Sequence, residues 1–222
     1  MYMWCITGAG HLLEEIVDVM SKISRKNRIS SVFSNAGYEV AGMYGLLEKI
    51  ESISSEIILE KDQGKSCPIT GRFSRGKYGK VIVAPCTANS TAKIYHGVAD
   101  SLVTNIVSQA IKNKIPVVIL PTDMKKKVKS RMAISVDDCK NCKICLAIEK
   151  CPTRALYRKG NRVKINLLKC TGCKICIKNC KFNAISFGKE VMVYCREIDI
   201  KNVKKLKKME GIRIIENPDE IG

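Results

Sequence analysis

Apolar residues in the first half of the chain follow two alternating patterns. Short continuous apolar runs, such as YMWCIT (2–7) and KVIVAP (80–85), have the length of strands. Between them, HLLEEIVDVMSKI (11–23) places apolar residues three and four positions apart, which is the spacing of one helix face. Continuous apolar strands that alternate with helices predict a parallel sheet covered on both faces.

The alternation continues to residue 124. Three further strand-like runs and two further helical stretches complete it: 29–34, 56–60, 115–120, 39–50 and 87–114, the last with a break near Gly97. We therefore predict an α/β fold with a doubly wound parallel sheet, of the Rossmann or flavodoxin-like kind, for residues 1–124.

The rest of the chain divides by composition. Residues 125–131 are rich in lysine and are predicted to be a linker, with a solvated strand edge as the alternative. Residues 132–190 form a cysteine-rich domain. Residues 191–222 show a strand, helix and strand pattern, and this β-α-β extension can belong to either domain.

The formal net charge of +18 is concentrated in the second part of the chain. Residues 1–124 hold 14 basic and 11 acidic side chains, whereas residues 125–222 hold 25 and 10. A basic tail is typical of nucleic-acid-binding proteins, but these also interleave aromatic with basic residues. Aromatic residues are scarce here and the basic part is also the cysteine-rich part, so we predict no nucleic-acid partner.

Twelve cysteines would suggest disulfides in a secreted protein. The N-terminal sequence MYMWCITGAG lacks the basic and long apolar regions of a signal peptide. The apolar run IPVVILP is too short to span a bilayer. We therefore expect a cytoplasmic protein without a membrane span, in which clustered cysteines bind metal.

Eight of the cysteines form an internal repeat. The first run, C-x2-C-x2-C-x5-C-P, extends over 139–152, and the second, C-x2-C-x2-C-x3-C, extends over 170–180. The spacing is close to the C-x2-C-x2-C-x3-C-P run of bacterial ferredoxins, in which the fourth cysteine ligates the other cluster. A zinc ribbon is the alternative, but two C-x2-C pairs suffice for zinc. The longer spacer before Cys151, and Lys181 in place of the usual proline, change loops and not ligands.

The repeat predicts an α+β ferredoxin-like domain with two [4Fe–4S] clusters. Cluster 1 is assigned to Cys139, Cys142, Cys145 and Cys180, and cluster 2 to Cys151, Cys170, Cys173 and Cys176. Six lysines surround the runs: Lys140, Lys143, Lys150, Lys174, Lys178 and Lys181. They would offset the negative charge of the clusters and favour an acidic electron-donor protein as partner.

A turn of small residues follows the first strand. Gly8, Ala9 and Gly10 lie between this strand and the first helix, where backbone N–H groups can contact a phosphate. A tight turn without a ligand is the alternative, because the full G-x-G-x-x-G pattern is absent. The stretch FSNAG (33–37) offers a second small, polar contact at Ser34.

The stretch APCTANSTAKIYHGVADSLVTN (84–105) resembles the flavin-binding segment of the homo-oligomeric flavin-containing cysteine decarboxylases. The segment of that family reads P-A-[ST]-A-N-T, then A-K-x-x-x-G-x-A-D-x-L; here Cys86 replaces the alanine and Ser90 the threonine. The resemblance implies an FMN site, with the Cys86 sulfur beside the flavin and not acting as ligand or nucleophile. The implied FMN-binding residues are Gly8, Ala9, Gly10, His11, Ser34, Ala36, Pro85, Cys86, Thr87, Ala88, Asn89, Ser90 and Asp100.

The order of TGAGHLLEE, TGRFSRGKY, the flavin segment and the cysteine repeat is similar to that in the dihydromethanopterin reductases of methanogens. This resemblance implies an enzyme that reduces dihydromethanopterin with electrons passed from the clusters to FMN. It also implies a homo-oligomer built from trimers, with a shell such as a 24-mer as a larger form. The decarboxylase motif P-x-M-N-x-x-M-W is absent, since LPTDMKKKV (120–128) stands in its place.

Several roles stay open from the sequence. An electron-transfer protein that serves another redox protein, with no pterin substrate, is the alternative function. No general acid stands out, and His11 and Asp123 are the candidates for a catalytic role. Cys5 and Cys195 lie in strand-like runs and are expected to be core thiols. The basic loop 70–78 is either a clamp on flavin or substrate, or a solvated surface.

Overall fold

The computed structural model describes residues 1–222. Its strands and helices are, in chain order, β1 (Tyr2–Ile6), α1 (Leu13–Ser24), β2 (Ile29–Phe33), α2 (Asn35–Met43), α3 (Leu47–Ile53), β3 (Glu56–Leu59), β4 (Lys80–Cys86), α4 (Ala88–Tyr95), α5 (Leu102–Lys112), β5 (Val117–Pro121), β6 (Lys127–Arg131), β7 (Ile134–Val136), α6 (Leu146–Glu149), β8 (Leu156–Lys159), β9 (Arg162–Ile165), α7 (Ile175–Lys178), β10 (Ile185–Phe187), β11 (Glu190–Tyr194), α8 (Glu197–Leu206) and β12 (Ile212–Ile214).

Six parallel strands form the main sheet, in the order β12-β5-β4-β1-β2-β3. Every residue of β2 and β5 is buried, as expected for strands that are covered on both faces. The chain order reverses direction at β1, which has β2 on one side and β4 on the other. This confirms the predicted doubly wound parallel sheet.

Helices cover both faces of this sheet. One apolar core joins the inner faces of α5 and α8 to the sheet, through residues such as Ile106 and Leu206. The other core joins α1 and α3, through residues such as Ile16 and Ile50. Helix α1 buries its apolar stripe. It carries Glu14 and Glu15 in its first turn, where their negative charges interact favourably with the positive end of the helix dipole.

The cysteine-rich domain has its own small core. Strand β7 pairs antiparallel with β10, and β8 pairs antiparallel with β9. The short helices α6 and α7 lie within the two cysteine runs, each ending two residues before the fourth cysteine, and so occupy equivalent places in the two halves. Eight buried residues close the core. The α+β ferredoxin-like organisation predicted from the repeat is therefore confirmed.

The predicted linker is corrected in part. Residues 127–131 form strand β6, which pairs antiparallel with β11. Exposed and half-buried positions alternate along β6. The pairing with β11 supplies hydrogen bonds to the backbone, while the basic side chains reach solvent. The solvated strand edge, the alternative to a linker, describes this segment better.

The C-terminal extension contributes to both parts of the molecule. Its first strand, β11, pairs with β6, whereas α8 packs against α4 and β12 joins the edge of the main sheet beside β5. The boundaries at 124 and 190 remain predictions. No helix has both the length and the apolar character needed to cross a membrane.

Candidate redox site

The sheet brings three predicted flavin-binding loops to one edge. Residues 7–11 follow β1, residues 34–37 follow β2, and residues 86–90 follow β4. Because β4, β1 and β2 are adjacent parallel strands, their carboxyl ends lie side by side. In an open α/β sheet, ligands bind outside these ends, where the strand order reverses. The crevice at this edge is therefore the candidate flavin site.

The first two loops are in direct contact. A Cβ added to Gly8 would lie 2.6 Å from the Cβ of Ala36, and a Cβ added to Gly37 would overlap the carbonyl of Ile6. Glycine at both positions lets α2 begin directly against the end of β1. This contact explains why the two small-residue stretches lie at one site.

Helices α2 and α4 point their N-termini into the crevice. Ser34 caps α2 by accepting the N–H of Gly37 at 3.0 Å, and Thr87 caps α4 by accepting the N–H of Ser90 at 3.3 Å. Six further backbone N–H groups around the crevice make no hydrogen bond within the protein: those of Gly8, Gly10, His11, Ala36, Ala88 and Asn89. Helix N-termini and free N–H groups suit a phosphate, so these residues fit the anionic end of FMN.

Thr7 joins the first and third loops, and sequence reasoning missed it. Its fully buried hydroxyl donates to the carbonyl of Pro85 at 2.8 Å and accepts the N–H of Thr87 at 2.9 Å. The signal was available, because a threonine at the end of a buried strand often bonds neighbouring backbone. What the sequence could not show is that β4 is the neighbour.

The structure corrects the expectation for Cys86. Its side chain is fully buried in the core beneath α4, with the sulfur 3.4 Å from the hydroxyl oxygen of Thr91, itself fully buried. Burial raises the pKa of the Cys86 thiol to about 12. Only the backbone of Cys86 can therefore line the crevice, because its sulfur points the other way.

Asp100 is also engaged elsewhere. It is exposed, and its carboxylate pairs with the Lys93 ammonium at 2.8 Å. Likewise, Arg72 of the basic loop 70–78 donates to the Glu56 carboxylate at 2.7 Å. Glu56 begins β3 and therefore lies at the opposite edge of the sheet from the crevice. The solvated-surface interpretation of this loop agrees better with the structure than a clamp does.

His11 and Asp123, the catalytic candidates, lie near one another. Burial lowers the pKa of the half-buried His11 imidazole, while the charges of Glu15 and Asp123 oppose this shift. Asp123 follows β5, and one of its carboxylate oxygens accepts the hydroxyl of Thr122 at 2.6 Å. The pair is placed at the carboxyl edge, on either side of the loop that follows β4.

Cys195 belongs to the same region and is not the core thiol that we expected. It is partly exposed, and its pKa is raised to about 11 by burial and by the charge and hydrogen bond of Asp123. The run EVMVYC does form a strand, but this strand pairs with β6 and delivers Cys195 to the mouth of the crevice. Only the three-dimensional pairing reveals this position.

The four cysteines assigned to cluster 1 line one apolar pocket. Cys139, Cys142 and Cys145 of the first run meet Cys180 of the second run there, beside Val136, Val163 and Ile185. The N–H of Ala184 donates to the Cys180 sulfur at 3.3 Å. Backbone N–H groups near Asn141 and Val163 lower the pKa of Cys139. Soft thiols in an apolar pocket, with N–H donors at sulfur, are the setting of an iron–sulfur cluster.

The four cysteines assigned to cluster 2 also lie together. Burial raises the pKa of Cys176 to about 11, and its neighbours Cys170, Cys173 and Cys151 add to the shift. The N–H of Ala155 donates to the Cys151 sulfur at 3.2 Å, four residues along, as Ala184 does for Cys180. Each quartet thus takes three cysteines from one run and one from the other.

Two protein families match different parts of the chain. The Flavoprotein family matches residues 2–147, and the 4Fe-4S binding domain matches residues 163–186. The first match extends beyond residue 124, into the first cysteine run. The second match covers the second run only, from Cys170 to Cys180.

Two curated relatives span nearly the whole chain. A dihydromethanopterin reductase (acceptor) of Methanosarcina mazei is 41% identical over 98% of this chain and 95% of its own. Another of the same name, from Methanocaldococcus jannaschii, is 42% identical over 99% of this chain and 93% of its own. Among solved structures, the DmrB protein of Burkholderia xenovorans in complex with FMN superimposes with a TM-score of 0.64. It is 23% identical and the match covers 99% of this chain and 89% of that one, which supports the fold.

Proposed function

The chain belongs to the flavoprotein family and, within it, to the dihydromethanopterin reductases, and from this premise we propose that it reduces dihydromethanopterin to tetrahydromethanopterin. With the cofactors bound, iron–sulfur clusters would supply electrons to FMN, and FMN would supply them to the pterin. The proposal rests on two features that occur in one chain. One is the crevice at the strand ends, with its six free N–H donors, and the other is the pair of cysteine quartets.

The proposed flavin site uses the three loops at the carboxyl edge. When bound, FMN supplies hydride transfer, and the clusters supply single electrons. The free N–H groups of the loops would hold its phosphate, and Thr7 keeps the first and third loops in register. Asp100 is left out of this site, since its carboxylate pairs with Lys93.

His11 and Asp123 are proposed to supply the proton that the pterin nitrogen takes up during the reduction. Reduction of a C=N bond needs a proton at nitrogen as well as a hydride at carbon. Burial lowers the pKa of His11 and favours its neutral imidazole, so His11 would deliver a proton only from the imidazolium form that it reaches by taking up a proton. Asp123 stabilises the protonated form when His11 recovers a proton from solvent.

Two clusters are proposed, each spanning both cysteine runs. Cys139, Cys142, Cys145 and Cys180 are the proposed ligands of one, and Cys151, Cys170, Cys173 and Cys176 those of the other. Support comes from the common pocket of the first quartet and from the mutual proximity of the second. No cysteine forms a disulfide, and we propose the reducing cytoplasm as the compartment.

The proposed macromolecular partners are an acidic electron donor and further copies of this chain. The six lysines around the cysteine runs are all exposed and can attract an acidic redox protein. The B. xenovorans DmrB protein is described as a cubic protein cage, and we propose an oligomer built from trimers here. Exposed apolar side chains at Met192, Tyr194 and Ile198 offer a surface for such contacts.

The test is anaerobic turnover with a low-potential reductant and dihydromethanopterin. Accumulation of tetrahydromethanopterin, with little product from dihydrofolate as a control pterin, supports the proposal. Flavin oxidation by a partner redox protein, together with none by dihydromethanopterin, would favour the electron-transfer alternative instead.

A further inference from the structure

The turn between α2 and α3 lies directly against the first crevice loop. A Cβ added to Gly10 would lie 2.6 Å from Cε2 of Tyr44, so the tyrosine ring packs on the backbone of Gly10. The Tyr44 hydroxyl donates to the carbonyl of Arg131 at 2.5 Å. The ring is therefore held in place between the proposed flavin site and strand β6.

The next residue of this turn touches the cysteine-rich domain. A Cβ added to Gly45 would lie 2.9 Å from the carbonyl oxygen of Gly172, and one added to Gly172 would lie 2.7 Å from the Cα of Gly45. Both glycines have positive φ, 71° and 62°, which side chains disfavour. The two backbones meet at a distance that only glycine allows on both sides.

Gly172 lies within the second cysteine run, between Cys170 and Cys173. Its N–H donates a hydrogen bond toward the sulfur of Cys170. The contact between Gly45 and Gly172 thus connects the turn to a proposed ligand of cluster 2.

Further contacts make this junction a built interface. The rings of Tyr44 and Phe187 meet edge to face, with centroids 6.1 Å apart, and the Lys174 ammonium lies 4.0 Å from the Phe187 centroid. Residues 167–169, just before the second cysteine run, pack against α2. The domains are therefore joined at the side of cluster 2.

From this junction we infer that cluster 2 is the immediate electron donor to the flavin, through Gly172, Gly45 and Tyr44, and that cluster 1 receives electrons from outside. This inference rests on the proposed function and gives the two clusters an order. Electron tunnelling falls steeply with distance, and the loop of cluster 2 contacts the turn that packs directly on the first flavin-binding loop.

The surroundings of cluster 1 suit the outer position. Ile144 and Phe182 are large, exposed apolar side chains beside its cysteines, and Lys140, Lys143 and Lys181 are exposed around them. An apolar patch ringed by positive charge fits an acidic redox protein. In each cycle two single electrons leave cluster 2 for the flavin, and two protons come from solvent. This balances the two electrons and two protons that one C=N bond consumes.

Gly45→Ala tests the inference without changing a cluster loop. The holoprotein is mixed anaerobically with a reduced low-potential ferredoxin, and bleaching of the flavin absorbance is followed. We expect the concentration-independent rate of flavin reduction to fall, because an added methyl group forces the two backbones apart and lengthens the electron path. Gly76→Ala is the matched control, since Gly76 has φ 65° and open space around it. An unchanged rate in Gly45→Ala would overturn the inference.

A second variant and a structural readout keep the test decisive. Gly172→Ala should slow flavin reduction as well, with iron content retained. In both variants, amide hydrogen exchange at 43–46 and 171–173 should rise, whatever the activity. Flavin that is reduced directly by dithionite should still be oxidised by dihydromethanopterin at the wild-type rate in both variants. If dihydromethanopterin does not oxidise the reduced flavin of the wild type, the proposed function is wrong, and this result does not bear on the order of the clusters.

Discussion

The hydroxyl of Thr7 bridges two strand ends: it accepts the N–H of Thr87 at 2.9 Å and donates to the carbonyl of Pro85 at 2.8 Å. One buried side chain thus holds the loop that follows β1 against the loop that follows β4. The crevice between these loops is the proposed flavin site, so its shape depends on Thr7.

Thr7→Val should destabilise the protein and weaken flavin binding. Valine has nearly the same shape but leaves the Thr87 N–H unpaired, which costs about 1–3 kcal/mol. The Pro85 carbonyl keeps a partner, because it also accepts the backbone N–H of residue 7 at 3.2 Å. We expect an increase of about tenfold in the dissociation constant of FMN, equivalent to about 1.4 kcal/mol. Urea unfolding and fluorescence titration with FMN measure the two effects.

Ser31→Ala is the control for this variant. Ser31 is a fully buried residue of β2 whose hydroxyl lies 2.6 Å from that of Ser54, away from the crevice. It should lose stability and keep its flavin affinity. Equal flavin affinity in Thr7→Val and wild type would refute the assigned role of Thr7.

Cys86→Ala should leave flavin binding and activity intact. The Cys86 sulfur lies in the core and not in the crevice, so its removal leaves a small cavity that costs about 1 kcal/mol. Cys5→Ala, which removes another fully buried thiol, should behave in the same way. Flavin content after gel filtration decides the matter: loss of FMN from the Cys86 variant alone would place its sulfur at the flavin.

Single cysteine replacements should remove one cluster at a time. Cys145→Ala and Cys180→Ala should each lose about half of the iron and the same electron paramagnetic resonance signal, because both line one pocket. Cys151→Ala should lose the other signal. Cys67→Ala, at a buried thiol outside both quartets, should keep all its iron. If Cys145→Ala and Cys180→Ala lose different signals, the pairing across the runs is wrong.

Asp123→Asn should make Cys195 more reactive. The Asp123 charge and hydrogen bond help to raise the pKa of Cys195 to about 11, so their removal lowers that pKa. A lower pKa means more thiolate at any pH below it, and the thiolate is the form that alkylates. The pH profile of Cys195 carboxymethylation, read by mass spectrometry, should shift to lower pH. An unchanged pH profile would show that Asp123 does not influence the pKa of Cys195.

Much of the architecture could be predicted because the signals are local. The continuous apolar runs became β1, β2, β4 and β5, and the break near Gly97 separates α4 from α5. The C-x2-C-x2-C spacing that the two cysteine runs share, close to that of bacterial ferredoxins, likewise predicted which thiols would meet. These features depend on a few neighbouring residues and on ligand chemistry that tolerates little variation.

The remainder depends on contacts between distant segments. The pairing of β6 with β11 joins residues about sixty positions apart, and it brings Cys195 to Asp123. The place of Tyr44 at the junction depends on Gly10, Arg131 and Gly172 at once. The side to which Cys86 points is set by the pleat of β4, and a resemblance between sequences does not reveal it.

The most direct test of the function is one anaerobic turnover of the holoprotein. After full reduction and removal of excess reductant, dihydromethanopterin is added in substoichiometric amounts while the flavin absorbance is recorded. The account predicts that oxidised flavin returns and that one tetrahydromethanopterin forms per two electrons lost from the cofactors. Reduced flavin that persists with dihydromethanopterin present, yet is oxidised by another redox protein, would contradict it.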